Sequence, residues 1–231
     1  MEFVLVHGSG QNAASWSRVA ERLRVQGHTA TTPELPKQAP DDSLADYAAG
    51  IAESVDSIES IVVAHSFSGV FLPLVAAGHG CGLIVFLAAV IPEPGMSVRD
   101  QFTADSQMFS PEWIAAGPRW FDKTQYDGLA REFMFHDCDA ATLEWGLTTM
   151  ELYDTRHLAT EPSPFTDWPD VPAAAIVAAA DRTLTPAWQR RTCERVLGVE
   201  PVEIDSGHCP HVSHAHEVAD RLMRLARESL Q

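Results

Sequence analysis

The chain has 231 residues, 45% hydrophobic and 21% charged, enough apolar material for one large core or two small ones. Its 32 Asp and Glu against 16 Lys and Arg give a net charge of −16. That balance argues against nucleic acid or an anionic membrane surface as partner, because both require a positive footprint. Cys81, Cys138, Cys193 and Cys209 never form a CxxC pair, so neither a disulfide framework nor a thiolate metal site is expected. The start, Met1-Glu2-Phe3-Val4-Leu5-Val6, has no basic segment and too short an apolar run for a signal peptide. The longest apolar run, Leu83 to Ile91, is half a membrane span. A cytoplasmic protein without membrane association is the expectation.

In chain order, Phe3-Val4-Leu5-Val6 reads as a buried strand ending in the loop His7-Gly8-Ser9-Gly10. A helix follows, with Trp16, Val19 and Leu23 on one face and Gly27 as its stop. Residues 28–36 suggest a short strand and a Pro-punctuated loop. After Asp41-Asp42-Ser43, the stripe Leu44, Tyr47, Ile51, Val55, Ile58 predicts a second helix. Ile61-Val62-Val63-Ala64 is the next strand. It runs into His65-Ser66-Phe67-Ser68-Gly69 and a helix to about Gly78. Leu83 to Leu87 is a further strand, closed by Pro92-Glu93-Pro94-Gly95. Strands over 173–180 and 202–204, a helix over 185–197 and a C-terminal helix with Val218, Leu222 and Leu225 inward complete the pattern.

Strands apolar on both faces, alternating with helices, predict a doubly wound, mostly parallel α/β sheet. Residues 95–168 break the alternation and hold 12 of the 19 aromatic residues. The expected organisation is therefore a core of residues 1–94 and 169–231, with a helical cap, 95–168, inserted in it.

In such a sheet ligands bind at the carboxyl ends of the strands. Strand, then Ala64-His65-Ser66-Phe67-Ser68, then helix, is the context of a nucleophile elbow, whose flanking positions 64 and 68 must be small. Asp181 follows the strand over 173–180, and His208 follows that over 202–204. A serine hydroxyl needs a general base, and the histidine needs a carboxylate to fix its tautomer, so Ser66, His208 and Asp181 form a candidate triad. Taken singly, His208 could be a solvated loop histidine and Asp181 a helix N-terminal acid. Their joint occurrence at consecutive strand ends favours catalysis. The backbone N–H groups of Ser9 and Phe67 are the expected oxyanion hole, each donor of which contributes about 2.7–4 kcal/mol.

These residues, in the order Ser66, Asp181, His208, together with the Val6-His7-Gly8-Ser9 loop and Trp16, resemble the α/β-hydrolase superfamily. The resemblance is greatest to the compact branch of plant methylesterases, hydroxynitrile lyases and related bacterial esterases. It implies a carboxylic ester hydrolase. The lyases of that branch carry Thr after the first loop histidine and Lys after the catalytic one; Gly8 and Cys209 stand there in this chain, which weakens the lyase reading. A lyase-like or cofactor-free enzyme that uses the Ser/His pair for proton transfer stays open, as does a non-catalytic ligand-binding protein. Trp113, Trp120, Phe121, Phe135 and Trp145 are the candidate pocket walls for a small, mainly apolar ester, thioester or lactone. No nucleotide motif is present, so no cofactor is expected. No metal is expected from His208, Cys209, His211, His214 and His216, most of which read as solvated. The sequence does not fix the oligomeric state, for which a homodimer is the one reading named.

Overall fold

Apolar runs bury both faces of a strand, and such runs form the centre of the six-stranded sheet of the computed structural model, which describes residues 1–36, 41–122, 124–151 and 155–230, while the edge strands Thr29–Thr31 and Val202–Ile204 are short and partly polar. Strands β1 (Glu2–Val6), β2 (Thr29–Thr31), β3 (Ile61–His65), β4 (Leu83–Leu87), β5 (Ala173–Ala178) and β6 (Val202–Ile204) lie in the order β2-β1-β3-β4-β5-β6. Every neighbouring pair is parallel. Helices α1 (Ser17–Val25) and α2 (Leu44–Ala52) follow β1 and β2, and α3 (Leu72–Gly78) follows β3. Four α-helices lie between β4 and β5 among the described residues: α4 (Val98–Ala104), α5 (Pro111–Ala116), α6 (Tyr126–Leu129) and α7 (Ala140–Thr148). Then come α8 (Pro186–Thr192) after β5, and α9 (Pro210–Ser213) and α10 (Ala215–Ser229) after β6.

Alternate strand residues feed two cores. Val4, Val6, Val62, Ala64 and Phe86 pack with Tyr47, Ile51 and Leu72 on one face. Phe3, Leu5, Ile61, Val63 and Val85 pack with Trp16, Leu23, Val218 and Leu222 on the other. Each fully buried Val, Leu, Ile or Phe among them contributes about 1.5–3 kcal/mol. The doubly wound parallel sheet is as the sequence predicts.

The predicted second helix is shorter than its stripe. Its start is fixed by a capping box: Ser43 N–H donates to Asp46 Oδ2 (2.8 Å), and Asp46 N–H donates to Ser43 Oγ (3.2 Å). Its end comes at Ala52, because Ser54 and Val55 N–H donate to the carbonyls three residues back and tighten the chain into a turn. Ser57 and Ser60 then bind backbone N–H groups themselves. Val55 stays buried, but Ile58 is 73% exposed, not part of the buried face.

From β1 the chain crosses to β2 on one side, and the next strand, β3, pairs on the other. The order reverses between β1 and β3, and a crevice opens beyond their carboxyl ends. Ser9 follows β1 and Ser66 follows β3, so both stand at that point. Residues of the β4–β5 connection, among them Ala116, Trp120, Leu129, Phe133, Met134 and Phe135, form a third cluster together with Cys209 and Val212. Among the described residues no helix is long and apolar enough to cross a membrane.

Candidate active site

β3 is wholly buried and ends at His65; the chain then turns so sharply that Ser66 takes φ +56° before entering the 3-10 turn Ser66–Phe71 and α3. A left-handed conformation costs a non-glycine residue about 1–2 kcal/mol, so the surroundings must impose it. Several contacts do. Val90 N–H donates to the Ser66 carbonyl (3.0 Å), and Ser68 Oγ donates to the His7 carbonyl (2.6 Å). Gly8 passes so close that a Cβ there would lie 2.6 Å from His65 Nδ1 and 2.9 Å from Ser66 Cβ. Glycine in the His-Gly-Ser loop is thus a steric requirement.

The three candidate triad residues come together. His208 Nε2 lies 2.9 Å from Ser66 Oγ, and His208 Nδ1 lies 2.8 Å from Asp181 Oδ2. With Nδ1–H donating to Asp181, Nε2 is left to accept the serine proton. Asp181 is buried, and its carboxylate also accepts Thr183 N–H (2.7 Å), Leu184 N–H (3.2 Å) and Gln189 Nε2–H (2.9 Å). Gln189, on α8, gives no sign of this role in the sequence.

The connection between β4 and β5 grips both loops. Asp137 Oδ2 accepts Gly207 N–H (2.7 Å), and His136 Nε2 donates to the Ala180 carbonyl (3.1 Å), so the residues beside His208 and Asp181 are held from outside the sheet. At the other end, Tyr126 Oη (3.2 Å) and Glu151 N–H (2.9 Å) donate to the Gly10 carbonyl, and Ser9 Oγ shares a 2.8 Å hydrogen bond with Thr155 Oγ1. Neither grip leaves a motif in the sequence.

Beside the candidate triad lie two buried imidazoles, His65 and His211, and His211 belongs to the run that reads as mostly solvated in the sequence. His211 is fully buried, stacked on Trp16 at 4.5 Å and 4.4 Å from the His65 ring. This corrects the expectation for His211, which the short helix α9 turns inward; His216 is exposed. His65 donates Nε2–H to the His208 carbonyl (2.8 Å). Burial, then the neighbouring histidines, holds the His65 pKa well below the usual value, and burial lowers that of His211 to about 3. Both titrate near 6.5 when unfolded. As pH falls below 6.5 the unfolded chain therefore takes up protons that the folded one refuses, and stability is lost at about 1 kcal/mol per pH unit for each histidine. His211→Phe keeps the stack and removes one of the two. Its Tm should decline less steeply than wild type between pH 6.5 and 4; equal slopes would refute the assignment.

Ser9, Ser66, Phe67 and His208 border one cavity of about 420 Å³. Trp113 and Trp120 are in its wall, with ring centroids 4.9 Å apart. Phe135 and Trp145 are not. Phe135 is packed inside the third cluster against Gly146, and Trp145 carries the Arg18 guanidinium 3.9 Å from its ring centre. The Phe121 side chain lies outside the described residues. Phe102, Phe109, Tyr126 and Met134, outside the candidate pocket set, also line the wall. Among the described residues no group of three or more His, Cys, Asp or Glu is arranged to hold a metal ion.

The model of the "Alpha/beta hydrolase family" matches residues 3–221. The chain belongs to that family. Methylesterase 9 of Arabidopsis thaliana is 26% identical over 97% of this chain and 97% of its own. A probable esterase of Oryza sativa subsp. indica is also 26% identical, over 97% and 96%. The crystal structure of polyneuridine aldehyde esterase is similar with a TM-score of 0.76 and 22% identity, over 97% of this chain and 98% of that one; at that identity it speaks for the fold.

Proposed function

We propose that the protein is a carboxylic ester hydrolase working through an acyl-enzyme on Ser66. The observation that carries this reading is the unbroken hydrogen-bonded chain from Ser66 Oγ through His208 to Asp181 at the floor of an apolar cavity. Relatives over nearly the whole chain that are named methylesterase and esterase support it.

As Ser66 Oγ attacks the ester carbonyl, its proton passes to His208 Nε2, and the carbonyl oxygen takes the negative charge. Ser9 and Phe67 N–H, both at the cavity, receive that oxyanion. Asp181 stabilises the imidazolium. His208 then protonates the departing alkoxide, which leaves as alcohol. Water repeats the sequence: its proton goes to His208, its oxygen bonds the acyl carbon, and the acid leaves as Ser66 recovers its proton. No step calls for a cofactor.

Residues 95–168 serve as the cap that roofs the cavity and, through Tyr126, Thr155 and Asp137, steadies the loops on either side of Ser66. Phe102, Trp113 and Trp120 form an apolar chamber that favours a small, apolar acyl or alcohol group. The hydrolase reading is preferred to the lyase one because the residue after His208 is a fully buried thiol, Cys209, which burial keeps neutral, where an ammonium would stabilise a cyanide leaving group.

The purified protein should be labelled once, at Ser66, by a fluorophosphonate and should hydrolyse p-nitrophenyl acetate and butyrate. Across a series of chain lengths kcat/KM should rise by about 3- to 10-fold with the first added methylenes, each contributing up to about 0.8 kcal/mol. Absence of both labelling and turnover would overturn the proposal.

A further inference from the structure

We infer that the ester bound here carries an anionic group, such as a carboxylate, at the end remote from the scissile bond: a half-ester of a dicarboxylic acid. The inference rests on the reading of Ser66 as an esterase nucleophile and names the substrate class for that site.

Charge is unevenly distributed around the cavity. The chain has twice as many acidic as basic residues, yet no Asp or Glu borders the cavity among the described residues; its charged members are Arg99 and Arg156. Arg99 stands in the first turn of α4, beside Val98 and three residues before Phe102, both of which also border the cavity. Arg99 is exposed while Val98 is buried, so the guanidinium belongs where the apolar wall meets solvent. Other arginines are engaged by carboxylates: Arg190 by Glu203, Arg191 by Asp105 and Arg195 by Glu93. Among the described residues no carboxylate forms an ion pair with Arg99. Its neighbour Asp100 feels the Arg99 charge but is hydrogen-bonded at the helix start, accepting Ser97 Oγ–H (2.7 Å) and Ser97 N–H (3.2 Å).

A ligand that satisfies this cavity has three parts. The ester carbonyl sits at Ser66, a short hydrocarbon segment lies against Phe102 and the tryptophans, and an anion reaches the Arg99 rim. Arg156 follows Thr155, the residue bonded to Ser9, and also borders the cavity. The net charge of −16 opposes an approaching anion only weakly, since separations beyond about 8 Å are screened at physiological salt, whereas a direct contact at the rim is screened less and weakens only as salt rises further. Guanidinium suits a carboxylate because its planar fork can donate two parallel hydrogen bonds.

The test compares monomethyl adipate with dimethyl adipate at pH 7.5, measuring methanol release. The two have the same length between ester and terminus and differ in charge. In wild type, kcat/KM for the monoanion should exceed that for the diester by about 10-fold, a factor typical of one charge-assisted hydrogen bond, and the ratio should shrink in 0.5 M salt. Arg99→Gln should reduce that ratio about 10-fold, chiefly through KM. A wild-type preference for the diester, or an Arg99→Gln enzyme with an unchanged ratio, would overturn the inference while leaving the esterase reading intact. Failure to hydrolyse either ester or p-nitrophenyl butyrate, with no fluorophosphonate labelling, would overturn both.

Discussion

Ser66→Ala should abolish fluorophosphonate labelling and lower kcat by on the order of 10⁴- to 10⁶-fold, the loss that follows removal of a nucleophile acting as a unit with its base. Tm should change little, because the hydroxyl contributes one hydrogen bond, to His208 Nε2 (2.9 Å), on the cavity side. Ser66→Gly should be just as inactive yet more stable than Ser66→Ala. At φ +56° both serine and alanine hold their Cβ against a strained backbone, and glycine releases about 1 kcal/mol of that strain. For a chain of this length that is a rise of roughly 2–4 °C relative to Ser66→Ala. Retained turnover in Ser66→Ala would sink the covalent mechanism. A Tm for Ser66→Gly below that of Ser66→Ala would sink the strain argument instead.

That strain marks how far the sequence could be read. The strands were legible because buried parallel strands need apolar residues on both faces, as Ile61-Val62-Val63-Ala64 and Leu83 to Leu87 have. The candidate triad was legible because its members follow strands in a fixed order. Gln189, Asp137 and Tyr126 were not, since each acts through a contact with residues far away in the chain: Gln189 with Asp181, Asp137 with Gly207, and Tyr126 with Gly10. The pocket was half legible. Aromatic crowding over 95–168 located the wall, but irregular spacing carries no period from which to tell Trp113, which faces the cavity, from Phe135, which faces Gly146. Histidines showed the same limit. A run rich in His after a strand looks solvated, and only the turn of α9 buries His211 on Trp16.

The steric demand at the elbow is sharper than the small residues at 64 and 68 suggest, and Gly69 bears it. A Cβ on Gly69 would collide with the Val90 carbonyl oxygen and lie 3.1 Å from Ala89 Cβ. Neither side can retreat easily. Val90 is tied to the elbow through its N–H to the Ser66 carbonyl (3.0 Å), and Ala88 N–H is bonded to the Ile176 carbonyl of β5 (2.8 Å). On the opposite side Ser68 is tied to His7. A methyl group must therefore push backbone against backbone rather than turn a side chain aside, and Gly69→Ala should cost on the order of 3 kcal/mol or more. Tm should fall by roughly 6–12 °C. Activity of the folded fraction should fall as well, because a shift of Val90 carries the Ser66 main chain with it, and Oγ must stay within hydrogen-bond reach of His208 Nε2. Gly50→Ala is the matched control. Gly50 lies in α2 with nothing near its missing Cβ, so the same substitution there should stabilise by about 0.5–1 kcal/mol. A Gly69→Ala protein with the Tm and kcat of wild type would show that the β4 loop yields to the elbow, and the rigid frame around Ser66 would have to be abandoned.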